Sequence, residues 1–468
     1  MKKTISIIIA SLLCSFVLFA EEINWRNYKF LDVNILKEQY IPLIKQAAAN
    51  GDKEAEMALV YLYFIDLRND TIDGIPAQDQ AFAILNRLKD ADYKPAVLSV
   101  GLSHLYGETC FYSTIEENGF TYNVFHYPII PHTPDIIPYP LDIKKGEMML
   151  KKIADDFPPA AFKLGRFYLE DEEHRNIKEG MRLVEMAGEK EDPDACQYLV
   201  EVYVGSRDLV EPDVDKAIYF AKKCAEKGDA RIQTTLALIY DPSHDLRPDK
   251  QKYMYWMKKA ANAGDRDAQF MYSFAVEEDP IQCMSWLQKS AENKNPRAMT
   301  VGLARLVNWE KYDEAIDWYQ RWIDYVYYEP DKLVMKAFAA IAYVSLERYT
   351  DCLALLKDIY NAGLENLYNI GEEPLLNVVS AAIIYCMDCP NSTIIDRSFI
   401  GNNTDILLRY MRENNIVCSY YWSGVAEWFG AFGFKNAELA KNYMIKGAQK
   451  GDDNCMRFCI VQGWTYSN

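Results

Sequence analysis

The chain has 468 residues, of which 50% are hydrophobic and 13% aromatic, including 33 tyrosines. It can therefore bury a large core, and its composition excludes a disordered protein. The formal net charge of −17 would repel nucleic acid and anionic lipid, which argues against a nucleic-acid-binding function. A basic protein partner or a simple requirement for solubility would each account for this acidity.

The first twenty residues have the three parts of a secretory signal peptide. Lys2 and Lys3 precede an apolar run over residues 5–19, and the small residue Ala20 follows that run. We predict cleavage after Ala20 and a periplasmic or secreted mature chain. The formal charge then changes from −17 to −19, because two lysines leave with the signal peptide.

Lipid attachment and membrane insertion are the two alternatives for an exported chain. Cys14 would suggest a lipoprotein, but it follows Leu13, where a lipoprotein signal has a small residue. No later stretch reaches about 18 apolar residues without a charge, so we expect no membrane span after signal cleavage.

One segment recurs through most of the chain, with the period of a helix pair. In each copy a small or apolar residue is followed eight positions later by an alanine, so that both lie on one helix face. The clearest pairs are Ala217 with Ala225, Tyr253 with Ala261, and Cys283 with Ala291. We call the helix that carries each of these pairs the B-helix. It ends at a glycine that favours a left-handed cap, and an aspartate then caps the next helix, at residues 51–52, 228–229, 264–265 and 451–452.

The helix after this break, which we call the A-helix, has its own pattern. It opens with a small residue, with an apolar residue four positions on and often a tyrosine four beyond that. The copies are Ala55, Leu59, Tyr63; Ala160, Leu164, Tyr168; Ala195, Leu199, Tyr203; and Ile232, Leu236, Tyr240. Small residues let two helices approach closely, and the large ones fill the groove between pairs. The sequence therefore predicts an all-α fold, an α/α superhelix (solenoid) of stacked helix hairpins.

These patterns resemble the Sel-1-like repeat, a longer relative of the tetratricopeptide repeat. Residues 211–229 and 260–265 match it best. We predict a Sel-1-like array over residues 21–310, then degenerate tetratricopeptide-like repeats over 311–468 that end in a Sel-1-like unit. The resemblance implies a scaffold that binds other proteins rather than an enzyme.

Residues 107–140 interrupt the period. The segment is rich in Pro, Tyr and Phe, and its prolines favour extended backbone over helix. We predict either a folded flap that packs on the array or an inert insertion. Its Cys110, His126 and His132 fit no zinc spacing, so we expect no metal site.

The sequence contains no phosphate-binding loop, dinucleotide fingerprint, nucleophile elbow or zinc-protease motif. The five histidines are scattered. The acidic clusters at 170–173 and 277–279 are typical of solvated charge. We therefore predict no enzyme activity and no cofactor. Cys386 and Cys389 form a C-x-x-C, but they end an apolar helical run instead of opening a helix, so we interpret them as structural.

The predicted function is protein binding through a concave groove lined by the first helix of each repeat. The residues expected to face that groove occupy two positions on four successive A-helices: Phe162, Arg166, Gln197, Glu201, Thr234, Leu238, Phe270 and Phe274. Alternatively, Phe162 and Phe270 pack between repeats. We expect a protein partner, and the acidity of the chain favours a basic one. One specific form of this function is an immunity or inhibitor protein for a secreted toxin. The rivals are an envelope enzyme or thiol oxidoreductase that uses Cys386 and Cys389, and a small-molecule-binding protein.

Overall fold

A computed structural model describes residues 36–67, 69–107, 109–117, 120–129, 139–368, 371–389 and 393–466. The proposed signal peptide and Cys14 lie outside these residues. Helices joined by short loops make up most of the described chain, which confirms the predicted all-α solenoid of stacked hairpins. The chain divides into two compact units, Met1–Gly264 and Asp265–Asn468.

The first unit begins with one helical turn, Leu36–Tyr40, and continues as a series of antiparallel pairs. Its helices are α1 (Ile41–Ala49), α2 (Lys53–Phe64), α3 (Ala77–Asp90), α4 (Lys94–Tyr106), α5 (Ile143–Ala154), α6 (Pro158–Glu170), α7 (Ile177–Glu189), α8 (Pro193–Tyr203), α9 (Val214–Lys227), α10 (Ala230–Ile239) and α11 (Lys250–Asn262).

The breaks between helices have the predicted caps. At the end of α9, Gly228 has a φ of 106°, and the Asp229 carboxylate accepts hydrogen bonds from the backbone N–H groups of Arg231 (3.0 Å) and Ile232 (3.2 Å). Glu191 occupies the same place after α7 and is held at a φ of 62° without being a glycine. The break geometry is therefore kept even where the glycine is absent.

Close approach of paired helices depends on small residues. Gly165 on α6 faces Gly180 on α7, and a Cβ added to either would lie within 2.9 Å of the other's carbonyl oxygen. Successive A-helices also contact one another in this part of the unit, where α6 contacts α8 and α8 contacts α10, while α7 contacts α9 on the B side. The core lies between these two rows of helices.

The second unit continues the helix pairs. Its helices are α12 (Arg266–Ala275), α13 (Pro280–Glu292), α14 (Pro296–Asn308), α15 (Tyr312–Trp322), α16 (Glu329–Ser345), α17 (Tyr349–Asn361), α18 (Leu364–Leu367), α19 (Glu372–Asp388), α20 (Ile394–Glu413), α21 (Cys418–Phe429), α22 (Ala437–Gln449) and α23 (Asp453–Gln462). One buried cluster of apolar side chains runs from Phe270 to Cys459.

The segment at 107–140 contains a β-hairpin in its described part. Strands β3 (Thr109–Glu117) and β4 (Phe120–Ile129) pair antiparallel, with Glu117 opposite Phe120, and β3 runs beside α4. A shorter hairpin, β1 (Thr71–Ile72) with β2 (Ile75–Pro76), precedes α3. Cys110 and His126 lie in β3 and β4, whose side chains are not described, and His132 lies outside the described residues.

Candidate functional site

The eight residues predicted to line the groove fall into two groups by exposure. Phe162, Thr234 and Phe270, at the earlier position of their A-helices, are buried. At the later position Arg166, Glu201 and Leu238 are half-buried and Phe274 is exposed, and Gln197 is also half-buried. Phe162 and Phe270 thus pack in the interior, which was the alternative for these two residues. The binding role remains a prediction, and it rests on the five residues that reach the surface.

Between α6 and α8 the structure brings two arginines onto one tyrosine. The guanidinium carbon of Arg207, in the loop after α8, lies 4.3 Å from the centre of the Tyr198 ring, and that of Arg166 lies 5.9 Å from it. The Phe162 ring packs edge-on against Tyr198 at 5.8 Å between centroids. Burial and the charge of Glu170 raise the pKa of Tyr198 to about 12, so its hydroxyl stays protonated at neutral pH.

Two carboxylates hold these arginines in place. Glu170 accepts from Arg166 at 2.8 Å and from Arg207 at 3.1 Å, while Glu201 accepts from Arg207 at 2.8 Å. The side chains of Arg166, Glu170, Glu201 and Arg207 are each 36–39% exposed. These four residues and the buried Tyr198, which is 4% exposed, form what we call the arginine–tyrosine cluster, and its accessible part consists of the four charged side chains.

A lysine is buried beneath this surface. Lys163 on α6 is 7% exposed, and its Nζ lies 5.5 Å from the centre of the Phe162 ring. Burial, with the positive charge of Arg166, lowers the pKa of Lys163 to about 8, against opposing effects of Asp194 and Asp192. The ammonium is therefore less favourable in the fold than in water.

The A-helix row continues from α8 to α10 through a polar contact. Thr235 donates a hydrogen bond to the Gln197 side-chain oxygen at 2.9 Å, and Gln197 in turn lies 3.5 Å from the carboxylate of Glu201. Gln197 and Glu201 are therefore joined to the arginine–tyrosine cluster, whereas Leu238 lies further along the row on α10.

The second unit carries a similar arrangement of its own. Arg297 lies 4.7 Å from the centre of the Phe270 ring, and Arg305 lies 4.9 Å from that of Phe274. The two phenylalanine rings meet edge-on at 5.1 Å, and Glu277 accepts from Arg305 at 3.1 Å. Stacking of arginine on an A-helix aromatic residue is thus a feature of each unit.

The cysteines of the C-x-x-C are buried at the end of α19. Cys386 is 2% exposed and Cys389 6%. Burial raises the pKa of Cys386 to about 12, although the nearby Arg397 opposes this effect. A thiol of this kind is protonated at neutral pH and is a poor nucleophile.

A cavity of about 570 Å³ lies in the first unit, next to the end of the insertion. Tyr139 and His104 line it. The Tyr139 hydroxyl donates to Asn86 at 3.1 Å, and a ring nitrogen of His104 lies 2.9 Å from the carbonyl oxygen of Pro140. Lysines and aspartates from α3 and α5 complete the wall.

Among the residues that the structure describes, no group of three His, Cys, Asp or Glu side chains could hold a metal ion. In that same part of the chain, no helix combines the length and hydrophobicity that a bilayer crossing requires.

Sequence reasoning missed three residues of these arrangements, the buried Tyr198 and the partly exposed Arg207 and Arg305. Tyr198 directly follows Gln197, one of the predicted groove residues, and its ring contacts Phe162 of the preceding A-helix. An aromatic residue at this position was a usable signal. Arg207 lies in an interhelical loop outside the repeat pattern, so periodicity could not identify it.

Comparison with known proteins agrees with the helix pattern. The Sel1 repeat family profile matches residues 158–192, 201–229, 233–265, 268–295, 310–324 and 419–452. No match is found among curated proteins.

Two solved structures are similar to the chain. One is a protective antigen present in uropathogenic Escherichia coli strains displaying an SLR fold, 17% identical, with 91% of each chain covered and a TM-score of 0.45. The other is a Sel1 repeat protein from Oxalobacter formigenes, 18% identical, covering 73% of this chain and 94% of that one, with a TM-score of 0.41. This chain therefore contains six Sel1 repeats, which lie in the helices described above.

Proposed function

We propose that this Sel1-repeat scaffold is an exported, non-catalytic protein that binds a protein partner through its A-helix surface, with the arginine–tyrosine cluster as the anchor. The observation that carries the proposal is the pair of arginines stacked on Tyr198 and fixed by two glutamates. Arginine and tyrosine are enriched among the residues that dominate binding energy at protein interfaces.

Prior ordering of this cluster supports a binding role. Immobilising a flexible side chain on binding costs about 0.5–1.5 kcal/mol. Arg207 already has contacts with Glu170, Glu201 and Tyr198, so much of that cost is met in the fold. A partner that docks on this surface therefore gains planar contact area with little further loss of side-chain freedom.

The charge of the chain supports a basic partner. A formal net charge of −17 raises the encounter rate with a positively charged protein and slows the approach of nucleic acid. Export rests on the signal-like pattern of residues 1–20. An inhibitor or immunity protein for a basic secreted toxin is the specific form of this proposal.

The thiol oxidoreductase alternative has less support. A redox-active pair needs an accessible thiolate, but Cys386 and Cys389 are buried and the pKa of Cys386 is raised to about 12. An activity lost on changing both residues to serine would restore this alternative.

Small-molecule binding has one observation in its favour, the cavity beside Tyr139 and His104. Its volume of about 570 Å³ is within the range of ligand pockets, although its wall is more charged than is usual for them. Metabolites that raise the melting temperature of the chain, with an effect lost in Tyr139→Ala, would favour this function.

Affinity capture from an envelope extract of the native cells tests the main proposal. We compare the unmodified chain with Arg207→Ala and with Arg182→Ala. Arg182, on the B-helix α7, is an equally suitable arginine because it is also exposed and ion-paired, to Glu179 at 2.8 Å.

The expected result is a partner that the unmodified chain and Arg182→Ala retain and that Arg207→Ala loses by at least about tenfold, as for an interface anchor worth more than 1.4 kcal/mol. Circular dichroism must show equal folding of the three proteins. Equal capture by Arg207→Ala and Arg182→Ala would place binding away from the cluster.

A further inference from the structure

Two buried thiols meet between helices α8 and α9. Cys196 on α8 is 0% exposed and Cys224 on α9 is 2% exposed, and their Sγ atoms lie 2.7 Å apart. Nonbonded carbon atoms in contact lie roughly 3.5–4.0 Å apart, and sulfur is larger than carbon, whereas a disulfide bond is about 2.05 Å long. The two sulfurs are therefore closer to bonding distance than to a normal thiol contact.

The positions of the two residues suit a crosslink. Cys196 lies in the first turn of the A-helix α8 and Cys224 in the last turn of the B-helix α9, and these two helices pack as one hairpin. The residues are 28 positions apart. A bond between them would close the whole hairpin into a covalent loop.

We propose that Cys196 and Cys224 form an intramolecular disulfide that joins the two helices of this repeat when the chain folds in the presence of a disulfide donor. The oxidising conditions outside the cytoplasm would supply such a donor, a small-molecule or protein disulfide. The bond does not require a binding partner, so the proposal of a disulfide and the proposed binding function can be tested separately.

The disulfide forms by two successive thiol–disulfide exchange steps with the donor. A thiolate of one cysteine attacks a sulfur of the donor disulfide, which forms a mixed disulfide and releases the first donor thiolate. The second cysteine loses its proton to solvent and attacks the protein sulfur of the mixed disulfide, which forms the internal bond and releases the second donor thiolate. The two protein thiols are oxidised by two electrons, and the donor disulfide is reduced to two thiols.

Timing follows from burial. The contact with Cys224, together with burial, raises the pKa of the Cys196 thiol, so the thiolate is scarce once the helices have packed. Oxidation should therefore be fast during folding and slow in the folded, reduced chain. After it forms, the bond is shielded from reductants by the same packing.

Refolding the full chain in glutathione redox buffer tests this proposal. The denatured, reduced chain is refolded, quenched in acid and alkylated, and its peptides are mapped by mass spectrometry. The expected product links the peptides of Cys196 and Cys224 and is lighter by about 2 Da than the reduced chain, through loss of two hydrogens. Cell-free synthesis in the same buffer gives this readout without a denaturation step.

Variants at three buried cysteines complete the test. Cys196→Ala should abolish the link, whereas Cys283→Ala, at another fully buried cysteine, should leave it intact. The linked chain should melt about 5 °C above the reduced one, and this difference should vanish in Cys224→Ala. Recovery of Cys196 and Cys224 as alkylated thiols, or Cys196 linked equally to several cysteines, would overturn the proposal.

Discussion

Substituting alanine for Gly165 tests how closely the helices of a repeat pack. An added Cβ would lie 2.7 Å from Cγ2 of Val184 and 2.8 Å from the carbonyl oxygen of Gly180. One of these atoms belongs to a β-branched side chain and the other to helix backbone, so neither can move aside without the helix itself. Helices α6 and α7 must therefore separate by several tenths of an ångström.

The expected cost is the difference between two effects. Overpacking of this kind costs about 1–3 kcal/mol, while alanine is roughly 0.5–1 kcal/mol better than glycine inside a helix. We therefore expect Gly165→Ala to lower the free energy of unfolding by about 1 kcal/mol, the difference between the middles of these two ranges, and by no more than about 2.5 kcal/mol. Urea unfolding followed by circular dichroism measures this as a lower midpoint at an unchanged m value.

Gly424→Ala is the matched control. Gly424 is also inside a helix, α21, and an added Cβ would lie 2.7 Å from Cε and 2.9 Å from Cγ of Met444. A methionine side chain is flexible and can give way, so the helix-propensity gain should offset most of the cost. Equal destabilisation by the two substitutions would refute the argument that the Gly165–Gly180 backbone contact sets the helix spacing.

Three further substitutions address local strain and charge. Glu191→Gly should stabilise the chain by about 0.5 kcal/mol in urea unfolding, because it removes the cost of about 1–2 kcal/mol for a left-handed residue other than glycine but adds the backbone entropy cost of glycine, about 0.5–1 kcal/mol. Gly228→Ala, at a φ of 106°, should destabilise the chain by about 1 kcal/mol. Burial lowers the pKa of Lys163 to about 8 from 10.5, so between these pH values the unfolded chain binds more protons than the folded one. The contribution of Lys163 to stability should therefore rise from pH 8 towards about 10. The unmodified chain should gain stability relative to Lys163→Met over that range, and an equal pH dependence of the two proteins would contradict this.

The helix boundaries and the core of the repeats were predictable from the sequence. Ala225 and Gly228-Asp229 placed the end of α9 and the start of α10, and Ala160, Leu164 and Tyr168 are buried on one face of α6. These features repeat because each hairpin needs the same helix caps and the same close contact between its two helices. Local chemistry therefore determines them.

The candidate surface was only partly predictable. Periodicity identifies a helix face, but whether a residue on it reaches solvent depends on the neighbouring helix, and so Phe162 is buried while Arg166 is not. Arg207 joins the cluster through a tertiary contact between a loop and Tyr198. No spacing rule within one repeat contains that information.

The β-hairpin in the insertion had a local signal that went unused. The sequence between β3 and β4 is Asn118-Gly119, a dipeptide that favours two-residue hairpin turns. The prolines that follow indicate extended backbone but carry no information about which strands pair. The composition of the segment therefore did not predict the pairing of Glu117 with Phe120.

Hydrogen exchange of the chain with and without its captured partner tests the central claim most directly. If the A-helix surface binds the partner, backbone amides of α6 and α8 and of the loop that carries Arg207 should gain protection, while those of α7 and α9 keep their free-state rates. Protection confined to the B-helices, or to the segment around Tyr139, would contradict the account.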